Sequence, residues 1–144
     1  MAAAIIVLLC ACSQAEKQSH FVVLQQGSSL IVELGNSRCK LSDDARAYQV
    51  YLSPSGRLIV VEAQILSNLT ILRLYERSNG CFKEVEPSLA EKLWHQVAQE
   101  QRFKVDEIQR ARMKFMGWKG QESFEVRLEG VVQGKEIRVI LTVP

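Results

Sequence analysis

The sequence predicts an α+β domain, mostly antiparallel β meanders with one amphipathic helix near residues 88–101. Three observations carry that reading. From Phe21 to Tyr75 apolar residues recur mostly at every second position, the strand period. At Ser88 the spacing changes to i, i+4, the helix period. Three more alternating segments then run to Val143, separated by glycine turns. A chain of 144 residues, 47% apolar and 24% charged, has the composition of one ordinary globular domain. That excludes a disordered chain, a collagen-like repeat and a polytopic membrane protein. Eighteen basic against sixteen acidic residues leave a charge of +2, too balanced to point to nucleic acid.

Phe21-Val22-Val23-Leu24 is a short apolar run, and Gln26-Gly27-Ser28-Ser29 turns it back. Leu30, Val32 and Leu34 share one face of the next strand, which Gly35-Asn36 ends. Ser42-Asp43-Asp44-Ala45-Arg46 reads as a polar loop. Tyr48, Val50 and Leu52 alternate with Gln49 and Tyr51. Ser53-Pro54-Ser55-Gly56 fits a type I turn, with proline second and glycine fourth. Leu58-Ile59-Val60-Val61 is apolar on both faces, as in a central strand covered on both sides. Ser67-Asn68 turns into a strand from Leu69 to Tyr75, and Arg77-Ser78-Asn79-Gly80 turns again into Cys81–Val85.

Ser88-Leu89-Ala90-Glu91 is a capping-box sequence preceded by Pro87. Leu89, Leu93 and Val97, with Ala90, Trp94 and Ala98 beside them, form the apolar stripe of a helix ending near Gln101. Ala111, Met113 and Phe115 then alternate with Arg110, Arg112 and Lys114. Phe124, Val126 and Leu128 alternate with Glu125, Arg127 and Glu129. Ile137, Val139, Leu141 and Val143 close the meander.

The first twelve residues are a different kind of segment. Ala2 to Ala11 carry no charge, and ten helical residues reach only about 15 Å, half a bilayer core. Such a run suits a signal-peptide core. Leu9-Cys10-Ala11-Cys12 resembles the lipobox of bacterial lipoproteins. The resemblance implies a signal peptide over 1–11, a diacylglyceryl thioether and acylated (palmitate-type) amine on Cys12, and a cut before it. The sequence departs from that pattern in lacking a basic residue before the apolar run and in placing Cys10 where Ala or Ser is usual. The competing reading of 1–12 is a buried strand or helix. Ser13–His20 is polar and aperiodic, so residues 12–20 read as lipidated cysteine and tether, and 21–144 as one β-rich domain. The resemblance implies a bacterial cell envelope location, lipid-anchored, either periplasm-facing or in the outer membrane. Ser13 rather than Asp after Cys12 favours the outer membrane on the same resemblance.

With Cys10 removed and Cys12 acylated, Cys39 and Cys81 remain, an even pair for an oxidising compartment. A bridge between them closes a loop of about 43 residues; two free buried thiols are the alternative. The two turn-and-strand stretches around Tyr51–Val60 and Phe115–Val126 repeat weakly. The first of them, with Leu69–Tyr75, resembles a blade of a WD40- or TolB-type propeller, which implies a blade-like meander; two blades cannot close a propeller.

Chemistry is sparse. His20 and His95 are 75 residues apart in the chain, without ligand neighbours, so no metal site and no cofactor are expected. No nucleophile elbow, phosphate loop or zincin helix is present, and no catalytic residue is assigned. Asp43 and Asp44 are adjacent, and in extended chain they point apart rather than forming an acid/base pair. Arg110, Arg112 and Lys114 share a strand face that Met116 and Trp118 continue. That face suits contact with an anionic surface, but alternation on a half-buried strand already explains it as an ordinary solvated face with Met116 and Trp118 under the helix, and that is the preferred reading. The expected protein is a non-enzymatic binding or accessory module, membrane-held by lipid, with an envelope protein or glycan as partner. An inhibitor or immunity-type protein acting through Ser53–Arg57 or Trp118–Glu122, or an enzyme of unknown class, are the alternatives.

Overall fold

The computed structural model describes residues 4–8 and 21–144. Cys12, read above as the lipid acceptor, the cleavage site expected before it and the expected tether lie outside the described residues. The fold is mostly β, with one α-helix.

A smaller antiparallel sheet runs in the order β1 (Ala4–Leu8), β2 (Phe21–Gln26), β3 (Ser29–Leu34) and β4 (Ser37–Ser42). The larger sheet contains β5 (Ala47–Leu52), β6 (Leu58–Leu66), β7 (Leu69–Ser78), β8 (Cys81–Glu84), β9 (Ile108–Trp118), β10 (Phe124–Val132) and β11 (Lys135–Val143). Its order is β11-β10-β9-β7-β6-β5, with β8 also on β7. Helix α1 (Leu89–Gln101) returns the chain between β8 and β9. The two meanders are therefore joined in one sheet, β9 lying parallel to β7 at Thr70↔Arg112.

β6 carries the architecture. Ile59, Val60 and Val61 are all fully buried, because each face of this strand meets a different core. Val60 belongs to a core with Leu72, Met113, Phe124 and the helix residues Leu89, Leu93, Trp94 and Val97. Ile59, Val61 and Ala63 belong to a second core with Phe21, Val23, Leu30 and Val32 of the small sheet. The expectation of a central strand covered on both sides is met.

The helix begins where the capping sequence places it. Ser88 Oγ accepts from the Glu91 amide at 3.2 Å, and Leu89, Leu93, Trp94, Val97 and Ala98 are buried. Arg102 ends it in the left-handed conformation, its amide donating to Ala98 O. The Ser53–Gly56 turn closes with Gly56 N–H to Ser53 O at 2.9 Å.

Two features differ from the sequence expectation. β4 occupies Ser37–Ser42, a stretch to which the sequence reading assigned no strand, because it is an outer strand with only Cys39, Leu41 and Ser42 half-buried. The second is Trp118. A bulge between Glu125/Val126 of β10 and Gly117/Phe115 of β9 inserts an extra residue, and Gly117 at φ 138° accommodates it. The alternation shifts, so Met116 stays exposed while Trp118 turns to the core and packs against Phe115 and Phe124. Trp118 does not continue the basic face.

The cysteine pair is bridged: Cys39 on β4 is bonded to Cys81 on β8, with Cα atoms 6.2 Å apart. The bond ties the small sheet to the large one.

Candidate functional site

A polar cluster lies where β7 lacks a continuous neighbour. One edge of β7 is shared, β9 meeting it at Thr70 and β8 from Tyr75 onward. Ile71, Leu72 and Arg73 line a cleft of about 440 Å³ closed by the β4–β5 loop and the start of α1.

Arg73 is the centre of the cluster. β7 alternates so that Arg73 and Tyr75 face the small sheet. The Arg73 side chain is only 13% exposed, so its charge needs a partner. Asp44 supplies it as a two-pronged pair: Nη1 donates to Oδ1 at 2.9 Å and Nη2 to Oδ2 at 2.6 Å. Nη1 also donates to Ser42 Oγ at 2.6 Å, and Ser42 Oγ donates to Asp44 Oδ1 at 2.7 Å. Tyr48 extends the network, its hydroxyl donating to Ser28 O at 2.6 Å and accepting from the Ala45 amide.

The Arg73 hydrogen bonds hold the Asp44 carboxyl down to about 2, from a usual 3.8. Glu84, opposite Tyr75 on β8, is shifted the other way: burial raises it, repulsion from Glu86 and Asp44 adds to that, and Arg73 opposes it. Burial, with the Glu84 charge, pushes the Tyr75 hydroxyl up to about 12. Chemically this is a latch. The guanidinium fork is filled by Asp44, and the carboxylate of Asp44 is filled by Arg73 and Ser42.

The latch makes a pH-dependent prediction. A carboxyl with a lowered folded pKa adds stability above its unfolded value, here about 4, which is lost as pH falls toward 2. Asp44 is 52% exposed, so the contribution is discounted to about 1 kcal/mol. Asp44→Asn is expected to lose that amount at pH 7 and to differ little from wild type near pH 2. Urea unfolding at the two pH values checks it; an equal deficit at both would show that the carboxylate charge is not involved.

The sequence-predicted residues fall elsewhere. Asp43 pairs with exposed Lys40 at 3.2 Å, so the two aspartates do point apart, but Asp44 is anchored rather than a free loop side chain. Arg110, Arg112 and Lys114 are all exposed on β9. Among the described residues none of the three is in an ion pair, although Arg112 stands opposite Glu129, which takes Arg127 at 2.6 Å and Arg138 at 3.7 Å. Arg110 sits in a second bulge, at φ 55°, and lines a depression with Arg112 and Arg138. His95 is exposed on α1, and His20 lies outside the described residues. The described residues hold no group of three or more His, Cys, Asp or Glu arranged for a metal ion.

The loops Ser53–Arg57 and Trp118–Glu122, distant in sequence, meet at one end of the sheet. Ser55 Oγ donates to Glu122 Oε2 at 2.9 Å, the Ser55 amide donates to Gln121 O at 3.4 Å, and Arg57 Nε is 3.7 Å from Glu122. Tyr51 stacks on Phe115 beneath them, ring centroids 4.4 Å apart.

No family model matches the chain, and neither a curated protein nor a solved structure is found to be similar to it.

Sequence reasoning missed Arg73. The signal available was its position between Ile71 and Tyr75 on an apolar strand face, where a cation requires a partner.

Proposed function

We propose that the protein is a lipid-anchored lipoprotein of the bacterial cell envelope whose folded body is a non-enzymatic binding or accessory module. The observation that carries this reading is the Cys39–Cys81 bridge, since such bridges persist in oxidising compartments. It agrees with the lipobox-like Leu9-Cys10-Ala11-Cys12 and the polar stretch after it. The expected result in cells is a mature chain beginning at acylated Cys12. Cys12→Ser is expected to leave an uncleaved, unacylated precursor. Intact mass measurement decides it: an unmodified, full-length N-terminus in wild-type cells overturns the reading.

Within this reading, Arg110, Arg112 and Lys114 form the face turned to the anionic envelope. Each exposed cation near such a surface contributes about 1 kcal/mol, screened by salt beyond about 8 Å. Protein beginning at Ser13 is expected to co-sediment with anionic vesicles at low salt. The Arg110→Gln/Arg112→Gln/Lys114→Gln variant is expected to bind roughly a hundredfold more weakly. Equal binding by the two proteins would leave the strand an ordinary solvated face.

A second reading, an inhibitor or immunity-type protein of a periplasmic enzyme, is favoured by one observation. Ser53–Arg57 and Trp118–Glu122 are locked together by the Ser55–Glu122 bond. Pre-organised loops lose less entropy on docking than mobile ones.

A further inference from the structure

The two ends of the sheets differ in how their outermost strands are protected. β11 is an edge strand of the large sheet and carries Lys135, Glu136 and Arg138. Charges of this kind hinder strand addition by another chain. β2 reads Phe-Val-Val-Leu-Gln-Gln and carries no charge along its six residues. It is covered instead, by β1, in five antiparallel pairs from Ala4↔Gln25 to Leu8↔Phe21. On the lipoprotein reading, a cut before Cys12 removes residues 1–11 and with them the whole of β1.

We infer that this cleavage uncovers the β2 edge as an interaction surface, and that its occupant is the β2 strand of a second copy, added antiparallel. The inference rests on the lipoprotein reading for the loss of β1. Three observations select a second copy. The strand that covers β2 runs antiparallel to it, and two β2 strands related by a twofold axis pair antiparallel as well. β2 is uncharged, so self-pairing sets no like charges opposite one another. Every copy loses its cover in the same event, and lipid anchoring would concentrate the copies in one plane.

Phe21 and Val23 point into the second core, whose other described members lie on β3, the β4–β5 loop, β5, β6, β7 and β8. Val22 and Leu24 lie on the other face and are only half-buried. Joining two β2 edges would merge the two small sheets, each three-stranded without β1, into one six-stranded sheet. A single strand pair is a small interface, so the pairing is expected to be weak in free solution.

The test compares three purified proteins by sedimentation velocity over a concentration series. The first begins at Ser13 and is expected to dimerise as concentration rises. The second is the same chain with Val22→Lys/Leu24→Lys, which sets four cations along the joined edges and is expected to stay monomeric. Circular dichroism and an unchanged urea midpoint show that this variant is folded. The third retains β1, beginning at Ala3 with Cys10→Ser/Cys12→Ser, and is expected to stay monomeric because its edge is covered. A monomeric first protein at about 1 mM, where even a very weak pair is occupied, overturns the inference. So does dimerisation of the second or third protein as strong as that of the first, since the contact would then lie elsewhere. An unprocessed N-terminus in cells would sink the lipoprotein reading, a separate result from the association measured on these purified chains.

Discussion

Breaking the Cys39–Cys81 bridge is expected to remove about 4 kcal/mol of stability at 25 °C. The sequence separation is 42 residues, and closing a loop of that length in the unfolded chain accounts for the figure in the chain-entropy model. The native state gives the bond more to hold than loop length alone. β4 belongs to the small sheet and β8 to the large one, so no backbone ladder joins them. On either side of the bond the sheets meet through the second core, where Phe21 and Phe82 pack edge to face at 6.0 Å. The β7–β8 turn also presses on β4: a Cβ added at Gly80, which has φ 79°, would lie 3.0 Å from Ser37 Oγ. Cys39→Ser/Cys81→Ser, or reductant on the wild type, should therefore lower the urea midpoint strongly, the small sheet then being held by the second core and by the Arg73–Ser42 and Tyr48–Ser28 hydrogen bonds. The two treatments should agree, and reductant should not move the midpoint of the double variant. Identical midpoints for oxidised and reduced wild type would refute the cross-link.

The sheet-forming part of this fold was legible because burial follows alternation. Met113 and Phe115 are buried and Arg112 and Lys114 exposed, as period two requires. β6 was legible for the opposite reason, its lack of alternation reporting two covered faces. β4 was not, since Ser37–Ser42 buries too little to leave a pattern. Trp118 was misplaced because alternation presumes an unbroken ladder, and one bulge at Gly117 inverts everything beyond it. The latch was illegible as a pair. Arg73 and Asp44 are separated by 29 residues, and only the packing of the small sheet on β7 brings them together. The same holds for Ser55 and Glu122, 67 residues apart, on two loops that the sequence offered as alternatives and the fold makes neighbours.

The helix gives the other large effect. Trp94→Ala is expected to cost about 3–5 kcal/mol, the range for removing a buried aromatic side chain. Trp94 is 6% exposed and sits in the first core with Leu89, Leu93 and Val97, the stripe that docks α1 on the large sheet. Its indole reaches toward Gly130 of β10, where a Cβ would meet Trp94 Cη2 at 3.5 Å and Ile108 Cγ2 at 2.9 Å. The strand is thus pared to a glycine at the point where β9, β10 and the helix converge, beside the bulge that accommodates Arg110. Two substitutions separate volume from contact at that point. Trp94→Ala opens a cavity and should lower the melting temperature by roughly 10–20 °C for a chain of this size. Gly130→Ala adds a methyl group that Ile108 must yield to, and should cost about 1–3 kcal/mol by overpacking. The free-energy losses are read from urea unfolding at pH 7 and the melting temperature from thermal unfolding. A loss below about 1 kcal/mol for Trp94→Ala would mean that the ring does not fill this core, and the helix would then be held by Leu89, Leu93 and Val97 alone.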